Sequence, residues 1–515
     1  MYTRFPYQLV KKLINSKNDG NTVFTVRRRF LQAMAAACAL PFVTGCAKDD
    51  EPNNSYNHWE VDDGSTTVPT AAQGEPTRII VVGAGFAGLT CANALAAAGV
   101  EVVVLEARKR LGGRVHTVEL SGVPVDLGAA WIHSPIGNPL SELARLVKMQ
   151  RLPFPLDRLI ADAALFDTTT GQLSNEDFMT LIVALSEFAV AIPQLINLLG
   201  SQTSLAVAME VYLAQAPVEA TLLPKLKFLI HTVFETSISG SLEQSALAGL
   251  EIPQLYSGGD EMPTIGFAPM IDALAASVAI RLDSQVISVH TLEHGVEVKL
   301  ADGAIERGSH VVITAPLGVL QSGAIEFLPG LPAVKHDAIT ALGFGTFEKL
   351  ALRYPERFWE ASGNALMMFS SDSHWPLPLW IDLSDEAGAP LLVAASAGLA
   401  GDSFAALKVP QLISLARETF QSMTGGTPPV ENAAIVTNWK NNPWTRGAYT
   451  FLNVGSRIED IVALGEPMLG RVLFAGEHTS QQRFGYADGA FTSGVREAKR
   501  LLRQSSVSLR ISKSA

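Results

Sequence analysis

Arg78–Ala107 reads RIIVVGAGFAGLTCANALAAAGVEVVVLEA. A short apolar run, Ile79–Val82, stops at Gly83-x-Gly85-x-x-Gly88. An alanine-rich helical stretch follows, then a second apolar run, Val102–Leu105, ending at Glu106. The three glycines serve different physical ends. Gly83 permits the tight turn, Gly85 lets backbone approach a pyrophosphate, and Gly88 lets helix pack on strand. The helix N-terminus, with its free N–H groups, faces phosphate charge. Glu106 falls where an acid accepts hydrogen bonds from an adenosine ribose. Strand, helix, second strand and acid in this order predict a Rossmann-type dinucleotide-binding unit in an α/β fold. Ala84, Phe86 and Ala87 lie along its phosphate turn, with Ala107 and Arg108 just beyond the acid.

The neighbouring sequence narrows the cofactor. EARKRLGGRV runs from Glu106 through Gly112-Gly113-Arg114 to Val115, a glycine pair that lets the chain double back so that a guanidinium can reach the pyrophosphate. This extension resembles the FAD-binding fingerprint of flavin amine oxidases. PVDLGAAWIHSPIGNPL, Pro124–Leu140, is similar to the segment that in this family passes the flavin ring and enters the substrate domain. By that match Gly128, Ala129, Ala130 and Trp131 lie along the flavin and His133 projects toward the substrate; taken by itself, His133 reads as structural. RVLFAGEHTSQQRFGYADGAFTSGVREAKRLL, Arg471–Leu502, brings Gly476 and Glu477, which resemble the family's second flavin contact. A helix beginning near Tyr486 would aim its positive end, with the N–H groups of Ala487 and Asp488, at the redox edge. VITAPLGVLQ, Val312–Gln321, with Val286 on an earlier strand, resembles the middle of the same domain.

GTFEKLALRYPERFW, Gly345–Trp359, reads as a strand of period two, with Leu350, Leu352 and Tyr354 on one face and Phe347, Lys349 and Ala351 on the other. A lone lysine there is usually solvated, because an unpaired buried amine is expensive. In the family this strand carries the lysine that holds a water against flavin N5, and Lys349 matches it. NPWTRGAYTFLNVG and FGYADGA match Tyr449 and Tyr486 to the two rings of an aromatic pair that steers the amine; Ala448 stands where monoamine oxidases carry the cysteine bonded to flavin. On these pieces the chain is identified as a member of the flavin-containing amine oxidases, nearest the polyamine oxidase and histone lysine demethylase branch. The resemblance implies non-covalent FAD and a small amine substrate, polyamines first. Hydride passes from the amine α-carbon to N5, and the imine hydrolyses to an aldehyde or ketone. Dioxygen, giving H2O2, or an electron carrier reoxidises the flavin. An amine dehydrogenase using a periplasmic carrier, a desaturase-type flavoenzyme and a binding protein with structural FAD are the alternatives.

Bulk properties set the frame. At 515 residues the chain exceeds one ordinary core, and 48% hydrophobic with 17% charged residues describes a globular protein. A formal charge of −11 argues against nucleic acid as a partner. No metal-ligand cluster, nucleophile elbow or catalytic triad stands out. VRRRFLQAMAAACALPFVTGC, ending at Cys46, reads as a twin-arginine (Tat) export signal closing in a bacterial lipobox, so residues 1–46 are expected to use the Tat machinery and leave Cys46 lipidated. That would put the protein on the periplasmic side, held to a membrane through a lipid anchor only. Residues 47–76 suit a flexible linker. Of three cysteines, only Cys91 falls in the folded part, so no internal disulfide is available. The resemblance implies a discontinuous FAD-binding domain at 77–135, 250–335 and 440–505. An α+β substrate-binding domain would occupy 136–249, read as helical, and 336–439, leaving 506–515 as a tail without signal.

Overall fold

The structure, a computed structural model, describes residues 58–59, 77–154, 163–250, 256–359, 365–369, 375–503 and 507–511. The export signal and Cys46 lie outside the described residues.

Ile79–Val82 is the central strand of a five-stranded, all-parallel sheet. Val102–Leu105 and then Ala279–Arg281 lie on one side of it, His310–Ile313 and then Val472–Phe474 on the other. The three inner strands are buried at every residue, which is why their sequences are continuous β-branched runs: a parallel sheet is covered on both faces. Alternate side chains serve two separate cores. Ile79, Val81, Val102, Val104 and Val312 meet the helices Phe86–Ala97, Ala268–Ala275 and Ala487–Leu502. Ile80, Val82, Val103, Val311 and Ile313 meet Val286, Val289, Val296 and Val298 of a four-stranded sheet made by Val286–Leu292, Gly295–Leu300, Ile305–Gly308 and Glu326–Leu328.

A second, seven-stranded sheet stands beside this unit, in the order Ala433–Val436, Phe347–Arg353, Leu391–Ala397, Leu379–Asp382, Ala365–Phe369, Ala164–Asp167, Gly171–Gln172. The last two strands correct the helical reading of 136–249: Ala164–Asp167 pairs through a turn at 168–170 with Gly171–Gln172, whose Gly171 takes φ 81°, and on its other side runs parallel to Ala365–Phe369. The run is four residues long, too short for its apolar pattern to show a period. Helices Asn175–Leu199, Leu205–Leu213 and Leu223–Ile238 cover one face, and Gly398–Ala406 and Val409–Thr424 the other. Asn175–Leu199 is long and apolar enough to cross a bilayer by length and composition. Its Phe178, Leu181, Leu185, Phe188 and Ile192 nevertheless lie in the core of this unit, as the apolar face of a helix inside a large domain should.

The reading of 47–76 as a plain tether and of 506–515 as a tail without signal also needs correction. His58–Trp59 pairs antiparallel with Val507–Ser508. Just beyond, the buried amide of Asn93 grips the chain at Arg510: its Oδ1 accepts from Arg510 N–H at 2.7 Å and its Nδ2 donates to Arg510 C=O at 3.0 Å. A single side-chain amide thus satisfies a backbone donor and acceptor as a neighbouring strand would. Leu509 and Ile511 pack on the same core as the first helix.

Candidate functional site

The site begins where the central strand ends. Gly83 takes φ 105°, a backbone conformation closed to most L-residues, and its N–H donates to Leu105 C=O at 2.8 Å. At the end of the adjacent strand Glu106, 6% exposed, braces both loops: one carboxylate oxygen accepts from Ala84 N–H at 2.8 Å and the other from Arg108 N–H at 3.0 Å. Gly85 precedes the first helix, and a methyl group added there would find nothing closer than 3.8 Å. The same methyl on Gly88 would lie 2.0 Å from Gly83 C=O. Gly88 is not among the residues lining the cavity that begins here; it seats the helix against the turn.

From this turn a cavity of about 1630 Å³ runs through the protein, exceeding the roughly 300–1,000 Å³ of ordinary small-molecule clefts. Its wall gathers Gly83, Ala84, Gly85, Phe86, Ala87, Glu106, Ala107, Arg108, Gly113, Arg114, Gly128, Ala129, Ala130, Trp131, Val286, Gly476, Glu477 and Ala487. Arg114, expected to reach a pyrophosphate, donates from Nη1 to Ala448 C=O at 2.7 Å and to the buried Glu477 at 2.8 Å. Glu477 also accepts from Thr450 Oγ1 and Gly485 N–H. Burial acts to raise the Glu477 pKa, but the charges of Arg114 and His478 and these donors outweigh it, leaving the carboxyl below its ordinary value. Two buried donors on the cavity wall, Arg108 Nε and Trp131 Nε1, have no acceptor in the protein. Unpaired buried donors are costly unless a ligand takes them. Together with a turn that leaves backbone bare and two helix N-termini on the wall, at Phe86 and Ala487, they fit a bound FAD.

Lys349, Tyr449, Tyr486 and His133 line this same cavity. Lys349 sits on Phe347–Arg353 and is 3% exposed. Its Nζ donates to Asp126 C=O at 3.0 Å and Gly128 C=O at 2.8 Å and lies 5.2 Å from the centre of the Trp131 ring. Burial pulls its pKa down to about 8 against the opposing pull of Asp126, whose own carboxyl burial pushes up. Tyr449 donates from its hydroxyl to Thr236 C=O at 2.7 Å and leans on Phe347. Burial, then the neighbouring Tyr486, raises its pKa well above the ordinary phenol value. Tyr486 precedes the helix Ala487–Leu502, as expected. The Arg483 guanidinium covers its ring at 3.9 Å, and the His133 ring meets it edge-on at 5.4 Å. His133 Nδ1 lies 3.1 Å from Asp260 Oδ1.

Several supporting residues escape a reading of the sequence. Glu348, beside Lys349 but pointing to the opposite face, is fully buried and accepts from Thr437 Oγ1 and from the N–H groups of Trp439 and Lys440, fixing the strand to the chain that leads to Tyr449. Arg483 grips Asp488 through two hydrogen bonds of 2.8 and 2.6 Å. Burial disfavours the guanidinium charge, yet the neighbouring carboxylate outweighs it and raises the Arg483 pKa above its ordinary value, so the guanidinium beneath Tyr486 stays charged. Asn138 Nδ2 ties Asp488 to the His133 carbonyl, while its Oδ1 caps the helix Pro139–Leu146. The Asn-Pro pair in IGNPL is the sequence signal for that cap. Val233, Phe234, Ala189 and Ile192 from the helices, and Leu379 and Ile381 from the seven-stranded sheet, also line the cavity. The acids on the wall are Glu106, Asp260, Glu261 and Glu477; among the described residues none comes from 136–249 or 336–439.

Comparison with known proteins agrees with this geometry. The family model described as flavin containing amine oxidoreductase matches residues 86–502, and that of pyridine nucleotide-disulphide oxidoreductase matches residues 39–123. The chain is similar to lysine-specific histone demethylase 1 homolog 3 of Oryza sativa subsp. indica, 32% identical over 447 residues, covering 82% of this chain and 54% of that protein. Polyamine oxidase 3 of Oryza sativa subsp. japonica is 30% identical over 440 residues, covering 82% and 88% respectively. The human lysine-specific histone demethylase 2 is 29% identical over 443 residues, covering 82% and 53%. The chain thus spans about half the length of the demethylases it matches and most of the polyamine oxidase.

Proposed function

The chain belongs to the flavin containing amine oxidoreductases, with FAD as its cofactor, and we propose that it oxidises a C–N bond of a small amine. The observation that carries this is the convergence of Lys349, Tyr449 and Tyr486 on the cavity that begins at the Gly83 turn and Glu106. The redox chemistry would be supplied by FAD held at the Gly83 turn, Glu106 and Arg114: hydride acceptance from the amine α-carbon, with water hydrolysing the resulting iminium to a carbonyl and a smaller amine and dioxygen, reduced to H2O2, as the terminal oxidant.

The protein supplies position and electrostatics. Gly85 and the helix beginning at Phe86 would offer backbone N–H groups to the pyrophosphate, Gly83 shapes the turn that brings them there, and Glu106 would present its remaining lone pairs to the ribose. Ala448, without a sulfur, leaves the cofactor held by non-covalent contacts alone. The helix starting at Ala487 presents its positive end where reduction places negative charge. Lys349, poised near neutrality by burial, holds a water and supplies a proton-bearing amine beside the reacting edge. Tyr449 and Tyr486 present ring faces that accept an uncharged amine and exclude misaligned poses. The amino-terminal sequence supports export by the Tat route, with Cys46 acylated and the enzyme anchored on the periplasmic side.

Anaerobic mixing of the FAD-loaded protein with a panel of amines tests the assignment. Loss of the oxidised flavin absorption on amine addition, and peroxide when air is readmitted, is the expected result. A flavin that stays oxidised with every amine would overturn it; bleaching without peroxide would instead assign an electron carrier as acceptor.

A further inference from the structure

The chemistry of the cavity wall restricts which amine can be taken. Three of the four acids on it are already engaged: Glu106 braces the phosphate turn, Glu477 is held by Arg114, and Glu261 is paired with Arg151 at 2.5 Å. Asp260 remains, 21% exposed and beside the half-exposed His133. The lining from the second unit includes Ala189, Ile192, Val233, Phe234, Leu379 and Ile381, with Thr236, Ser237 and Ser245 among its polar residues. Among the described residues, the one titratable side chain that 136–249 and 336–439 place on the wall is Lys349, a cation.

We infer that this protein takes monoamines with an apolar alkyl or aryl body, and discriminates against polyamines. The inference rests on the proposed amine oxidation. A polyamine held with one neutral nitrogen at the reacting edge must put its next ammonium against this wall. Among the described residues, 136–249 and 336–439 place no carboxylate there to offset the loss of hydration, and a buried, unpaired ammonium is among the most expensive groups to accommodate. Lys349 adds repulsion rather than relief. An alkyl or aryl body in the same space exchanges water for apolar side chains and gains in proportion to the area covered. Asp260 therefore serves the approach of a single ammonium, which gives its proton to solvent before the nitrogen passes inward.

The test uses the FAD-loaded protein and two matched series, n-alkyl monoamines and α,ω-diamines of the same chain lengths. Anaerobic flavin reduction gives kred/Kd. Calorimetric titration with analogues dimethylated at every carbon bearing nitrogen (both ends of the diamines), which lack the transferable hydrogen, gives affinity without turnover. The monoamines should gain roughly fourfold in affinity per methylene and exceed the diamines by at least about 100-fold in both measurements. Val233→Glu, which puts a carboxylate on the wall, should narrow that gap at least about tenfold; the unmodified protein decides the matter if the variant does not fold. Diamines that bind and react as well as monoamines overturn the inference while leaving amine oxidation intact. If no amine reduces the flavin, amine oxidation falls, and the calorimetric ranking still decides what the wall selects.

Discussion

Gly85 and Gly88 stand three residues apart in one motif, yet the structure gives them different jobs that alanine can separate. At Gly88 the new methyl would lie 2.0 Å from Gly83 C=O, and an ordinary contact needs about 3.4 Å, so turn and helix must part by about 1.4 Å. The helix cannot retreat freely. On its other side Gly494 of the last long helix approaches so closely that a methyl there would lie 2.3 Å from Ala87 C=O. Overpacking of this kind costs about 1–3 kcal/mol, and each kcal/mol moves Tm by about 2–4 °C in a domain of 150–250 residues. Gly88→Ala should therefore lower the Tm of the flavin-stripped protein by roughly 2–12 °C. At Gly85 the backbone has an ordinary φ of −87° and the nearest atom is 3.8 Å away. Gly85→Ala should leave the stripped protein as stable as before, or more so by about 0.4–1 kcal/mol through the unfolded chain. Its methyl fills space on the cavity wall, so FAD should bind at least about tenfold more weakly, roughly the cost of one misplaced group. Differential scanning fluorimetry of stripped protein and FAD titration by fluorescence quenching separate the two. Equal Tm for the stripped Gly88→Ala variant and the parent protein would refute the packing argument, whatever happens to FAD.

Lys349→Met keeps length and removes charge, and should slow reoxidation by dioxygen about 100-fold in stopped flow. Because the folded lysine titrates near 8 and the unfolded one near about 10.4, the unfolded chain binds its proton more tightly. Stability from this site is therefore lowest below pH 8 and rises between the two values; Tm plotted against pH should lose that rise in Lys349→Met. Asp260→Asn removes the carboxylate beside His133 and should raise KM for amines severalfold with kcat nearly unchanged, and an equal fall in kcat would instead place Asp260 in the chemistry. Acid precipitation should release all of the flavin to the supernatant, since residue 448 is alanine; flavin retained in the washed pellet would contradict non-covalent binding.

What can be read from the chain alone is what repeats locally. The buried strands announce themselves as β-branched runs, and the turn glycines by spacing. The period-two pattern of Phe347–Arg353 sets Lys349 on the face opposite Leu350 and Leu352, where the structure has it. Glu348 defeats the same pattern, because a charged pair in a strand looks solvated and its three donors come from 437–440, remote in sequence. Arg483 and Asp488 lie close in the chain, but their partner Asn138 is 350 residues from Asp488; no local signal specifies such a bond. Asn93 is visible as a polar break in an alanine-rich helix, yet what it holds, Arg510, comes from the far end of the sequence. The strand Ala164–Asp167 is too brief to declare itself.

The parallel sheet takes its strands from residues 79–82, 102–105, 279–281, 310–313 and 472–474, and the helix resting on the first one ends at Leu502. A growing polypeptide on the ribosome consequently carries the glycine-rich turn exposed for almost the whole of its synthesis, without the edge strand or the helix that completes its surroundings. Full enclosure of the cofactor site then awaits the end of synthesis, and a truncation of even the last helix should leave a nascent product for chaperones and proteases rather than a smaller working enzyme.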